Sequence, residues 1–137
     1  MKMATFDKLS VVVPIGPNDP AWQPLLKELT VLGGIEIILA ACQPLPENFN
    51  LPDKVTWIHA PQGRAKQLNA GAAQASRSVI WFLHADTRFT TAVFEALATY
   101  IESNEARLGY FRLEFANDGP NQTRLNAWAA NVRSRYF

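Results

Sequence analysis

Val79-Ile80-Trp81-Phe82-Leu83-His84-Ala85-Asp86-Thr87-Arg88 runs from five apolar residues into a polar turn that holds one imidazole and one carboxylate. An apolar run of this length reads as a buried strand. An open parallel sheet keeps its ligand crevice at the carboxyl ends of its strands, and an acid placed there is available to a metal. The stretch therefore predicts an α/β fold with Asp86 at its functional end.

The flanking sequence repeats the pattern. Upstream, residues 9–15 (LSVVVPI) form a β-branched run closed by Gly16, read as a first buried strand. Asp19-Pro20 suits a helix start, with Asp19 as cap and proline in the first turn. Trp22, Leu25, Leu26 and Leu29 then recur at helical spacing until Gly33-Gly34. Residues 35–41 (IEIILAA) and 54–59 (KVTWIH) read as the second and third strands, joined by a loop with three prolines. Residues 63–76 are alanine-rich and predict a helix with Ala65, Leu68, Ala72 and Ala75 inward. A third helix begins at Thr90 or Thr91 and turns Val93, Phe94, Leu97, Tyr100 and Ile101 inward. Alternation over residues 108–115 (LGYFRLEF) predicts a fifth strand, and residues 121–136 a last helix. Alternating strands and helices imply a mostly parallel sheet with helices on both faces.

Bulk properties narrow the function. The 137 residues fit one domain, taken as residues 1–137, and 48% apolar content argues against disorder. A net charge of +1 gives no electrostatic basis for binding nucleic acid. Cys42 is the single cysteine, so no internal disulfide forms and a cytoplasmic location is expected. No apolar run approaches the roughly 20 residues of a membrane span.

Three strand ends should meet at the crevice: Pro14-Ile15-Gly16, Ala41-Cys42-Gln43 and His84-Ala85-Asp86. The helix opening at Gly63-Arg64-Ala65-Lys66 adds free N–H groups, a favourable dipole and two cations, which suit an anion. A basic helix start facing an acidic strand end suggests a phosphorylated ligand bridged by Mg²⁺ or Mn²⁺. Each residue also has a plainer reading. Asp86 could cap the turn at Thr87, His84 and His59 could be structural, and Arg64 and Lys66 could be solvated surface charges. The tryptophans at 22, 57, 81 and 128 could be core, and Cys42 an inert small hydrophobe. The chain has no Gly-x-x-x-x-Gly-Lys-Ser/Thr loop, no Gly-x-Gly-x-x-Gly after the first strand and no Gly-x-Ser-x-Gly elbow. A P-loop NTPase, a dinucleotide dehydrogenase and an α/β-hydrolase are thereby disfavoured.

Three segments in order, Leu9-Ser-Val-Val-Val-Pro-Ile15, Gly63-Arg-Ala-Lys-Gln-Leu-Asn-Ala-Gly-Ala72 and Phe82-Leu-His-Ala-Asp-Thr-Arg88, resemble family-2 glycosyltransferases of GT-A fold. The likeness is to a bacterial subgroup with His-Ala-Asp in place of Asp-x-Asp, and it runs from about Leu9 to the last residue. It implies a GT-A, Rossmann-like, mostly parallel sheet flanked by helices and incomplete at the C-terminal end. It further implies a nucleotide-sugar donor and a sugar or lipid-linked acceptor, with a cytoplasmic location that includes peripheral attachment at the inner membrane. Pro14, Ile15 and Gly16 would border the nucleobase. Arg64, with Lys66 and His84 beside the donor, would approach the base or diphosphate. Asp86, matching the second acid of Asp-x-Asp, would ligate Mg²⁺ or Mn²⁺.

The chain departs from the family's pattern in three places. Ala40-Ala41-Cys42-Gln43 stands where an acid pair is usual, His84 replaces the first acid, and the chain ends at Phe137, before the segment that would carry the base and acceptor site. A truncated chain is therefore expected, and no base is assigned. The competing expectation is a non-catalytic nucleotide-binding or self-assembling module of the same fold, a homo-oligomer through an exposed apolar face.

Overall fold

The computed structural model describes residues 3–103. The expected strand at 108–115 and helix at 121–136 lie outside the described residues, as does Trp128. A short 3-10 helix, Met3–Lys8, leads into β1 (Leu9–Ile15), α1 (Trp22–Thr30), β2 (Glu36–Ala41), β3 (Val55–His59), α2 (Arg64–Gln74), β4 (Val79–Phe82) and α3 (Thr91–Ser103). These bounds lie within a residue or two of the expected ones, because each strand is a β-branched apolar run and each helix is flanked by Gly, Pro or Thr.

The four strands pair in the order β3-β2-β1-β4, all parallel. Val11 stands between Ile37 on β2 and Trp81 on β4, which fixes the register across the sheet. One face presents Leu9, Val11, Val13 and Ile15 with Ile37, Leu39 and Ala41. It shares one apolar core with Trp22, Leu25, Leu26 and Leu29 of α1 and Leu97, Ala98 and Ile101 of α3. Each large apolar side chain fully buried there contributes about 1.5–3 kcal/mol. Phe6 is fully buried and joins the same core. Trp57 and Trp81 are half-buried against it, so the described tryptophans are packing residues.

The opposite face is covered by α2 against β1 and β2, and here the expected inward face of the helix is wrong. Gln67 and Gly71 are its buried residues, while Ala65 is exposed and Leu68 and Ala72 are half-buried. The reason is steric. A methyl group on Gly71 would overlap the side chain of Val12, so glycine lets the helix lie directly on the strand. On the same face as Val12, Ile80 and Phe82 of β4 remain 38% and 48% exposed.

The chain steps from β1 to β2 to β3 in one direction and then places β4 on the other side of β1. This reversal, with α1 and α2 on opposite faces, satisfies a single crossover hand. It also opens the sheet between the carboxyl ends of β1 and β4, which is where such folds hold ligands.

Candidate functional site

The expected site residues fall at this end of the sheet. Pro14 and Ile15 end β1 and Gly16 follows it; His84 and Asp86 lie just beyond β4; Arg64 and Lys66 occupy the first turn of α2. Ile15 is buried, Pro14 and Gly16 are half-buried, and Arg64, Lys66, His84 and Asp86 are exposed.

The loop after β1 is tied down from the side. The main-chain N–H of Asn18, which has a left-handed φ of 57°, donates to Gln43 Oε1 at 2.8 Å. The indole N–H of Trp57 donates to the Gln43 carbonyl at 3.0 Å. Trp57 in turn meets Trp22 edge-on, with ring centroids 5.3 Å apart. The segment that lacks the acid pair thus plays a structural part, closing the loop beside Gly16. Asp19 is not the expected helix cap: α1 starts at Trp22 with Ala21 as its N-cap and no side-chain cap, and Pro20 lies before the helix. Asp19 Oδ1 instead closes the preceding turn by accepting from Ala21 N–H at 2.9 Å. Cys42 is half-buried with its thiol 3.9 Å from the Ile15 carbonyl, consistent with an inert role.

Beyond β4 the main chain closes its own turn, with Thr87 N–H donating to the His84 carbonyl at 3.1 Å. Asp86 makes no hydrogen bond with a described residue, so its carboxylate is not a cap of that turn. The loop is anchored by Phe89, whose ring meets those of Trp81 and Phe94 at tilted angles with centroids 5.2 Å away in each case. Ala85 is buried between the exposed His84 and Asp86, so these two leave the loop on its solvent side.

Electrostatics link this loop to α2. Partial removal of water around the His84 ring, followed by the positive charge of Arg64, lowers its pKa below the ordinary 6.5, and Asp86 opposes the shift. The charges of Arg64 on the basic helix start and of Asp86 on the acidic turn thus act on His84 in opposite senses. His59 is exposed at the end of β3, the strand at the opposite edge of the sheet from β4. No group of three or more His, Cys, Asp or Glu side chains among the described residues could hold a metal alone.

The residue that sequence reasoning missed is Gln67. It is 4% exposed, and its Nε2 donates to the carbonyls of Ile15 and Ala40, each at 2.8 Å. Its Oε1 accepts from Gly63 N–H at 3.1 Å. Gly63 precedes α2 with φ of 141°, a conformation that L side chains rarely adopt, so the sharp entry into the helix requires glycine. A polar residue buried at the fourth position after such a glycine is the one signal that could have flagged it.

An α/β protein whose crevice lies at the carboxyl ends of a parallel sheet, between a basic helix start and an acidic turn, is the class defined by this geometry. Residues 35–136 match the sequence model of Glycosyl transferase family 2, and the chain belongs to that family. The match spans β2 to α3 and includes Arg64 and the His84–Asp86 turn, while β1 precedes it. The parallel sheet with helices on both faces agrees with the GT-A architecture. No curated protein and no solved structure gives a significant match. No helix among the described residues is long and apolar enough to cross a membrane.

Proposed function

We propose that the chain binds a nucleotide-sugar donor across the carboxyl ends of β1 and β4 and takes part in transferring the sugar to an acceptor hydroxyl with inversion. The observation that carries this is the placement of Arg64 at the start of α2 and of His84 and Asp86 just after β4, all at the carboxyl end of the parallel sheet of a family-2 domain. Pro14, Ile15 and Gly16 border the nucleobase. Arg64 and Lys66, backed by the free N–H groups of the first turn of α2, hold the diphosphate. Their positive charge stabilises the leaving nucleoside diphosphate as negative charge develops on it.

The donor set at Asp86 fits a hard divalent cation held jointly with phosphate. It offers one exposed carboxylate beside a histidine whose proton affinity is lowered by partial burial and by Arg64, with no cluster of three or more metal-ligating side chains among the described residues. Mg²⁺ or Mn²⁺ bound there would supply charge neutralisation to the diphosphate. His84 faces the donor beside Asp86. The acceptor, a sugar or a lipid-linked sugar, is a class consistent with the family and is not narrowed further by these residues.

Calorimetric titration of UDP and of GDP with Mn²⁺ tests the reading. We expect one of them to bind the wild type and to lose most of its affinity in Asp86→Ala. Equal binding by the variant removes the metal role, and no binding of either nucleotide removes the donor site.

A further inference from the structure

Among the described residues the buried polar side chains are Ser10 and Gln67. Ser10 is spent at the far end of the sheet, where its hydroxyl donates to Glu36 Oε1 at 2.7 Å. Gln67 is spent at the site. Its single planar amide meets three segments at once, the end of β1 through Ile15, the end of β2 through Ala40 and the entry to α2 through Gly63. The next residue after Ile15 is Gly16, and the next after Gly63 is Arg64. One rigid group therefore sets the distance between the loop that borders the base and the helix start that carries the cation.

We infer that Gln67 is a positioning residue for nucleoside diphosphate binding, acting through Arg64 without touching the ligand. This rests on the donor-site reading above. A nucleoside diphosphate reaching from Gly16 to Arg64 gains from both contacts only if their spacing is right before it arrives, since a small misplacement of a binding group is costly. An apolar residue of similar length could fill the space under α2. It could not hydrogen-bond the Ile15 and Ala40 carbonyls and the Gly63 N–H.

A double-mutant cycle distinguishes positioning from simple support of the fold. Titrate UDP and GDP with Mn²⁺ into the full chain as wild type, Gln67→Met, Arg64→Ala and the double variant, each below the onset of its thermal unfolding. We expect Gln67→Met to raise Kd by roughly 10- to 100-fold, by analogy with the loss of an outer-shell partner at a metal site. In the Arg64→Ala background the same change should cost less than in the wild type, by more than the roughly twofold tolerance within which independent sites add, the remainder being carried by Lys66 and the N–H groups of the same turn. Full penalties that multiply, or an unchanged Kd in Gln67→Met, overturn the inference while leaving the donor site standing. A wild type that binds neither nucleotide overturns the donor site and this role together. Should Gln67→Met fail to fold, Gln67→Glu replaces it in the cycle. Its protonated carboxyl can donate one hydrogen bond in place of two, and an intermediate Kd is expected; a wild-type Kd overturns the inference.

Discussion

The side-chain amide of Gln67 reaches the main-chain carbonyl of Ile15, 52 residues earlier in the sequence, at 2.8 Å. It is a long-range hydrogen bond made by a side chain on an otherwise weakly amphipathic helix. Replacing Gln67 by Leu would remove three hydrogen bonds, those to the Ile15 and Ala40 carbonyls and that from the Gly63 N–H, and leave the Ile15 carbonyl only the weak thiol contact of Cys42. We expect a stability loss of about 1–3 kcal/mol, measured by urea denaturation. A loss within error of zero would mean that water enters and replaces the amide.

How far the sequence can be read depends on the range of the interaction that fixes each feature. Strands β1 and β2 are legible because residues 11–13 and 37–39 are buried on both faces, and such runs announce themselves locally. The placement of Pro14, Gly16, Arg64, His84 and Asp86 at one end follows from parallel strands alone. The inward face of α2 is not legible. Alanines flank it on all sides and give no contrast, and what selects Gln67 and Gly71 is the carbonyl of Ile15 and the side chain of Val12, far away in sequence. Gln43 reads as a missing acid, because nothing local shows that its side chain accepts from Asn18 N–H.

The approach of Gly71 to Val12 makes a specific steric prediction. A methyl group at position 71 would overlap the valine side chain, and relief requires the helix to move off the sheet. Gly71→Ala should lower stability by about 1–3 kcal/mol despite alanine's better helix propensity. Val12→Ala alone also destabilises by opening a void. Combined, the two should be less costly than their sum, and strict additivity in thermal melts would show that the overlap is relaxed some other way.

Asp86 should matter to binding and not to folding. It is exposed and makes no hydrogen bond with a described residue, so Asp86→Asn should shift stability by no more than about 0.5 kcal/mol. In the same variant, adding Mn²⁺ should no longer strengthen UDP or GDP binding. A variant that keeps the full Mn²⁺ effect would place the cation elsewhere.

His84 gives a pH signature with a definite sign. Its pKa is lowered in the folded chain by partial burial and then by Arg64, with Asp86 opposing. The unfolded chain therefore takes up a proton at higher pH than the folded one. Stability falls as pH drops through the ordinary value of 6.5 toward the folded value, and stays reduced below it. In proton NMR titration the midpoint of His84 should lie below 6.5, rise in Arg64→Ala and fall further in Asp86→Asn. A midpoint indifferent to Arg64→Ala would show that the charge of Arg64 does not act on His84.

Glu36 works at the opposite end of the sheet and in the opposite sense. Burial favours its protonated form, but this is outweighed by hydrogen bonds from the Ser76 hydroxyl and N–H and the Ser10 hydroxyl and by the charge of Arg77, so its pKa lies below the ordinary 4.5. Arg77 N–H donates to the Ser10 hydroxyl, and its guanidinium donates to the carbonyls of Asp7 and Gly34, so the carboxylate ties β1, β2 and the entry to β4 together. A lowered carboxyl pKa contributes stability that is fully present above the unfolded value and is lost as pH falls through the folded one. Glu36→Gln should therefore cost about 1 kcal/mol at pH 7, modest because solvent screens the group. The deficit should shrink as pH falls below the ordinary 4.5 and through the lower folded value, where the wild type also loses the charge. Urea denaturation at about pH 7, 5 and 3.5 reads this directly, and a deficit that stays constant across the three would assign the effect to lost packing and not to the carboxylate.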